Sequence, residues 1–273
     1  MAKTYPIREL KENIKKNKAT FAVYVVLRAF VITSLVISLV RGDFESAFVC
    51  ALSLVLFLVP SFLEKSLKIY LPSVLEIIVL LFIFAAEILG ELNAYYVKIP
   101  FWDTMLHTIN GFLCAAVGFA LIDILNRNDK FKFQLSPLYV AIVAFCFSMT
   151  IGVLWEFFEF GADCFLGLDM QKDTIINEIR SVTLDPTKTN TVICLPNITE
   201  VTVNGNELGV GGYIDIGLYD TMEDLIVNFI GAVVFSILGF FYTKTRGKGR
   251  IAKNFIPMLC ETKKEDSEYE SYR

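Results

Sequence analysis

The chain has 273 residues, a formal net charge of −4, a mean hydropathy of +0.55 and 55% hydrophobic residues. Soluble domains run about 45–50% apolar, so this composition points away from an ordinary soluble domain. The sequence has no basic stripe with interleaved aromatics, no zinc-finger spacing and no G-x-G-x-x-G or Walker loop, which argues against a nucleic-acid partner and the common nucleotide cofactors.

The apolar residues fall into blocks of roughly 17–25 residues, long enough to cross a hydrocarbon core of about 30 Å. After a basic segment at 1–19, six spans are predicted: Thr20–Val40, Phe44–Val59, Ser73–Leu89, Thr104–Leu125, Pro137–Phe160 and Thr221–Tyr242. The fold class read from this is an all-α integral membrane bundle of about six transmembrane helices. It has three parts: the segment 1–19, a six-span domain over 20–245 and a charged tail at 246–273. The first span is longer than a signal-peptide core and lacks a small-x-small site after it. The second ends at Pro60, and "SFLEKSLKIY" reads as a short amphipathic continuation. Ser61-x-x-Glu64 and Ser73-x-x-Glu76 both match a capping box, which gives Glu76 a plain role at a helix start. Arg28, inside the first span, reads as snorkelling toward the membrane surface or pairing with an acid.

Lys and Arg set the orientation. With the N-terminus in the cytoplasm, the inside segments hold 19 basic residues and the outside segments five: Arg41, Lys98, Lys172, Arg180 and Lys188. A cell-membrane protein with both termini cytoplasmic is expected. The loop 161–216 is then extracytoplasmic. Within it, "TVICLPNITEVTVNGNEL" has the alternation and the Asn-Gly of a small β-hairpin. "NIT" at 197–199 matches a glycosylation sequon, without meaning in a bacterium. Cys50, Cys114 and Cys146 read as small hydrophobes, and Cys260 lies in the tail. Cys164 and Cys194 share the loop and are read equally as a disulfide or as two free thiols.

Acids and one imidazole gather at the outer helix ends. Asp103, His107 and Asn110 share a face of the fourth span, and His107 is the chain's one histidine. Glu156, Glu159 and Asp163 share a face of the fifth, Asp220, Asp224 and Asn228 a face of the sixth, and Glu87 and Glu91 close the third. Asp103 and Asp220 could be N-caps, and Asp220 with Glu223 fits a capping box. Caps do not account for Asp224, one turn deeper, or for Glu156. Carboxylates this dense repel one another and must hold protons or a cation. The expectation is one outward-facing polar cavity holding a divalent metal, with Mg²⁺, Mn²⁺, Ca²⁺ and Zn²⁺ all chemically suitable. Its ligands would be Asp103, His107, Glu159, Asp163, Asp220 and Asp224, and its acid/base would be His107 or Glu156. A lone histidine bonded to one partner is the plainer account of His107. Proton or cation coupling is the rival, although no matching acid stripe faces inward apart from Glu76 and Asp123. The in-span glycines, above all in "GFLCAAVG", read as points of close helix approach.

The motifs "WDTMLH", "WEFFEFGAD" and "DTMEDLIVNFIGA", in this order, resemble the YjdF-like family of uncharacterised bacterial polytopic membrane proteins over roughly residues 20–245. The order Asp-His, acid pair, Asp-Asn is similar, more distantly, to VanZ-like envelope proteins. The resemblance implies the membrane topology, the grouping of the motifs and a place at the cell envelope; it supplies no reaction. The functional expectation is a metal-dependent protein acting on a lipid-linked or cell-wall substrate. A coupled transporter and a non-catalytic membrane scaffold are the alternatives. Membrane lipids are the other expected partners.

Overall fold

The computed structural model describes residues 18–66, 69–126, 135–245 and 254–259. The basic N-terminal segment through residue 17, the Asp123 side chain, Cys260 and the charged end of the tail lie outside the described residues. Among the described residues the helices are α1 (Lys18–Arg41), α2 (Phe44–Leu56), α3 (Val59–Ser66), α4 (Ser73–Ile83), α5 (Tyr95–Lys98), α6 (Trp102–Asn126), α7 (Pro137–Leu166) and α8 (Leu218–Lys244). A π-helix, Phe84–Leu92, continues α4. Among the described residues, six helical stretches are long and apolar enough to span a membrane: Lys18–Arg41, Phe44–Ser66, Ser73–Leu92, Trp102–Ile122, Pro137–Leu166 and Leu218–Lys244. They match the six predicted spans, and the molecule is an all-α membrane bundle with a few short strands. It divides into two compact units, one of Met1–Gly152 with Val227–Arg273 and one of Val153–Ile226.

The first unit holds most of the apolar helix. Where lipid surrounds the helices, burial of apolar surface no longer drives them together, and packing falls to small residues that let backbones approach. Gly111 of α6 and Gly231 of α8 do this reciprocally. A Cβ on Gly111 would meet the Asn228 carbonyl oxygen, and one on Gly231 the Thr108 carbonyl oxygen. Gly118 faces Phe147 and Gly239 faces Phe119 in the same manner. The Ser148 hydroxyl donates to the Gly111 carbonyl at 2.7 Å, tying α7 to α6. Ala115, Ala116, Phe119, Ala120, Val140, Ala144, Ala232 and Phe235 form the core at these crossings, together with Ile69, Leu71, Leu75 and Ile256. Strand β1 (Ile69–Tyr70) pairs antiparallel with β8 (Met258–Leu259). A second core joins α1, α2, α4 and the π-helix through Leu27, Val31, Cys50, Phe57, Leu80, Ile83 and Ile88.

Several helix ends differ from the sequence reading. The N-cap of α4 is Pro72 and makes no side-chain cap bond; Ser73 is already helical, so the Ser73–Glu76 capping box does not form. Ser61 lies inside α3, which starts at Val59. Trp102 and Leu218 open α6 and α8, so Asp103 and Asp220 are first-turn residues and not caps. The π-helix is anchored by the Trp102 indole, which donates to the Ala85 carbonyl at 3.3 Å, and by Asn93 Nδ2 donating to the Ile88 carbonyl at 2.6 Å. Arg28 lies 4.3 Å over the Tyr24 ring, one turn back toward the start of α1.

The second unit consists of the end of α7, the start of α8 and the loop between them. Three antiparallel ladders organise the loop: β2 (Ile175–Ile176) with β7 (Tyr213–Ile214), β3 (Ile179–Ser181) with β4 (Ile193–Leu195), and β5 (Thr202–Val203) with β6 (Asn206–Glu207). The last is the Asn-Gly hairpin. Asn204 and Gly205 have φ of 53° and 82°, as a two-residue type I′ turn requires. Cys164 and Cys194 are exposed free thiols in this structure.

Candidate functional site

The end of α7 carries Glu156 and Glu159, and the first turns of α8 carry Asp220 and Asp224. Spacing of three and four residues puts each pair on one face of its helix. The folded second unit brings the two faces together. Carboxylate oxygens of Glu156, Glu159 and Asp224 lie within 4.8 Å of one another, and one of Asp220 lies within the same distance of Asp224. Glu156 is 4% exposed, Glu159 7% and Asp224 3%. Acids buried this deeply are rare unless compensated. The Trp155 indole donates to Glu159 Oε1 at 2.8 Å and fixes that carboxylate on the helix face. The unit is therefore built around a buried Glu/Asp cluster whose spacing and oxygen donors suit a hard divalent cation.

Two basic residues of this unit pair with acids outside the cluster. Lys172 Nζ lies 3.7 Å from the Asp169 carboxylate and also donates to the Asp169 carbonyl. Arg180 Nε lies 2.6 Å from Glu178 Oε1, on the exposed surface.

Asp163 completes the helical stripe in sequence but has different partners. Its two oxygens accept from the backbone N–H of Met170 at 2.6 Å and of Gln171 at 2.9 Å. The reason is local: α7 ends at Leu166, and the chain doubles back over its last turn. Asp220 also accepts from the backbone, from Lys172 N–H at 2.7 Å. The Gln171 side-chain amide reaches the Thr221 hydroxyl at 2.5 Å. The loop start is thus pinned to both helix ends next to the acid cluster.

Asp215 was not singled out in the sequence, yet it organises the entry to α8. It accepts from Thr174 N–H at 2.7 Å, Gly217 N–H at 3.3 Å and Tyr219 N–H at 2.7 Å. This supplies the capping that Asp220 was read to give. The available signal was an Asp followed by Ile-Gly just before an apolar helix. Ile216 and Gly217 have φ of 56° and 82°, and this left-handed pair turns the chain into the helix. Burial raises the Asp215 pKa, but the hydrogen bonds from Tyr219, Thr174 and Gly217 outweigh it and leave it below the usual value.

In the first unit, Asp103 and His107 meet on α6, with His107 Nε2 3.5 Å from Asp103 Oδ1. His107 is buried at 7% exposure. Asn228 of α8, the end of the predicted Asp-Asp-Asn face, is 1% exposed. Its amide nitrogen donates to Met149 Sδ at 3.6 Å, and its amide oxygen has no hydrogen-bond partner among the described residues.

No solved structure matches the chain. An uncharacterized protein of Thermotoga maritima is 30% identical over 81 residues, which is 30% of this chain and 40% of that protein. The chain thus spans under half the length of that relative. The model of the family described as "Predicted membrane protein (DUF2238)" matches residues 22–245, a stretch holding all three motifs and the acid cluster. That match agrees with the YjdF-like resemblance read from the motifs. This chain belongs to that family of multi-pass membrane proteins.

Proposed function

We propose that this protein is a metal-dependent cell-envelope protein that acts on a lipid-linked or cell-wall substrate at the extracytoplasmic membrane surface. The observation that carries the reading is the convergence of Glu156, Glu159 and Asp224 within 4.8 Å, all three buried. Like charges this close cannot all ionise without a compensating proton or cation. Oxygen donors in this number are what hard divalent ions take. The orientation rests on the Lys and Arg bias, which assigns both termini to the cytoplasm.

We assign Glu159, Asp220 and Asp224 as ligands; Asp103 and His107 are further candidates from the sequence pattern alone. Glu156 and His107 are the groups assigned to hold and move the proton. Asp163, committed to two backbone N–H groups, holds the loop start in place. A bound divalent ion supplies Lewis acidity toward a phosphoryl or carbonyl oxygen. The protein's part is orientation: Trp155 fixes Glu159, and the contacts of Gln171 and Lys172 hold the two helix ends that carry the acids.

The test is elemental analysis of the detergent-purified full chain, beside Asp224→Asn and His107→Ala. Near-stoichiometric metal in the parent, lost in Asp224→Asn, supports the cluster, and its loss in His107→Ala adds the imidazole. Hydrolysis of envelope lipids is then the assay to run. If the parent holds no metal after purification without chelator and with divalent ions supplied, the reading fails. Flux measurements in vesicles would then test the coupled-transport alternative.

A further inference from the structure

The first unit carries a groove that the acid cluster does not use. It lies between the first turns of α7 and the second half of α8, with a volume of about 520 Å³. Small-molecule sites run roughly 300–1,000 Å³. Leu138, Ile142, Phe229, Ile237 and Phe241 form an exposed rim, and Ala141 and Ser236 lie buried at the floor. Apart from Ser236, every lining residue is apolar.

The two ends of the groove differ. At the deep end, Phe145 of α7 and Phe229 of α8 meet edge-on, with ring centroids 5.3 Å apart, and close it with hydrocarbon. The other end lies where α7 begins, at Pro137, and α8 stops, at Lys244. There the Lys244 ammonium lies 5.5 Å from the centroid of the Phe240 ring, which lines the groove. Lys244 is exposed and has no ion-pair partner among the described residues. From Phe229 to Phe241 the groove follows α8 for about 18 Å, at a rise of about 1.5 Å per residue. One leaflet of a hydrocarbon layer of about 30 Å is about 15 Å deep. The groove therefore enters at the end of two spans and runs inward for about the length of one lipid tail.

A further membrane helix fits this face poorly. Helices in lipid approach one another through small residues. Here bulky side chains form the rim, and they hold a rod of about 10–12 Å diameter away from the floor. A single hydrocarbon chain is thin enough to lie between them. We propose that the α7–α8 groove binds one anionic phospholipid, with an acyl chain in the groove and the headgroup phosphate against Lys244. The site uses none of the clustered acids, so it does not depend on the metal reading.

The experiment uses the full-length chain in phosphatidylcholine vesicles holding a trace of a photoreactive lipid. The probe is either phosphatidylglycerol or phosphatidylcholine, each with the same diazirine on its acyl chain, and labelled peptides are quantified by mass. Residues 138–145 and 229–241 should take up the phosphatidylglycerol probe roughly fivefold more than the other, about what one lysine contributes toward an anionic lipid. Lys244→Gln, at an exposed helix end, should bring that ratio close to one. Ile142→Trp crowds the groove from its exposed rim and should also remove the excess. Equal labelling in the parent shows ordinary lipid contact and overturns the site. An excess that survives Lys244→Gln overturns the phosphate contact, and one that survives Ile142→Trp overturns the seat of the chain. If neither probe labels these residues while other spans react, a second copy of the chain covers the face and the proposal fails. Elemental analysis of the same samples reads the metal site separately, and Lys244→Gln should leave it unchanged.

Discussion

Two sets of acids in the second unit use the same chemistry for opposite ends. Asp185 and Asp215 are each surrounded by donors. Asp185 accepts from Thr187, Thr189 and Thr191 N–H at 2.9–3.1 Å, and from the Thr187 hydroxyl at 2.6 Å. Asp215 accepts from three backbone N–H groups. Glu156, Glu159 and Asp224 instead bring carboxylate oxygens within 4.8 Å of one another. Backbone donors stabilise the ionised form of a carboxylate, whereas adjacent carboxylates destabilise it. The first set builds turns by remaining charged. The second sets carboxylate against carboxylate, an arrangement that a shared proton or a cation offsets. Burial alone does not separate the sets, since Asp185 and Asp215 are 6% and 8% exposed; the partners do.

The largest expected effect breaks the comparison outright. Glu159→Gln and Asp224→Asn should each lower bound metal from near one equivalent to near none by elemental analysis, while Asp185→Asn leaves it unchanged. If Asp185→Asn costs as much metal as Asp224→Asn, the two sets are not distinct. Next in size is Asp215→Ala, which removes the acceptor of three N–H groups. Hydrogen bonds to charged groups are worth roughly 1.5–3 kcal/mol each, and a loss of about 2 kcal/mol locally speeds amide exchange about thirtyfold. The faster exchange should be confined to residues 172–176 and 213–221, without change in metal content.

The third effect is a pH dependence. The Asp185 carboxyl is held well below its usual value by the Thr187 hydroxyl together with the N–H groups around it, and Asp215 is also held low. A depressed pKa contributes stability above the unfolded value of about 3.9, and that stability is lost as pH falls through the folded value. Asp173 runs the other way. Burial, and then the charges of Asp169, Asp215 and Asp163, raise its pKa. Its contribution is present below the ordinary carboxylate value and is lost as pH rises through the raised one. Loop protection against proteolysis should therefore rise slightly as pH falls toward 4, about the ordinary carboxylate value, then collapse below it. Asp173→Asn should remove the rise and leave the collapse. The smallest effect is that of Asp163→Asn, which keeps an acceptor for one of its two N–H partners. We expect unchanged metal and a melting shift of a few degrees, as for the loss of about one hydrogen bond to a charged acceptor.

The spans were legible because apolar blocks of membrane length admit few alternatives. The hairpin at Asn204-Gly205 was legible because two consecutive positive φ angles need those residue types. Convergence of Glu156, Glu159 and Asp224 was foreseen as a stripe on each helix, since spacing fixes a face. Spacing does not fix what faces it. Asp163 shares the stripe, but its partners are backbone groups seven and eight residues on, set by where α7 stops. The caps went wrong for a related reason. Asp103 and Asp220 looked like helix starts because the apolar runs begin beside them, but both helices begin earlier, and Asp215 takes the capping role at α8. The π-helix at Phe84–Leu92 and the return of residues 254–259 had no local pattern to announce them. Both are settled by distant partners, the Trp102 indole in one case and Ile69–Tyr70 in the other.

The length of α7 has a consequence for where chemistry can happen. Its thirty residues make a rod of about 45 Å, against a hydrocarbon layer of about 30 Å. Counted from Pro137, Glu156 and Glu159 fall about 29 and 33 Å along that rod, and an ordinary tilt of about 20° shortens both by only some 2 Å. With the start of α7 at one boundary of the oily layer, the helix works as a ruler that delivers these carboxylates to the other boundary. That is the level of phosphates and glycerol esters, where water can arrive from one side and a lipid tail can stay in oil on the other.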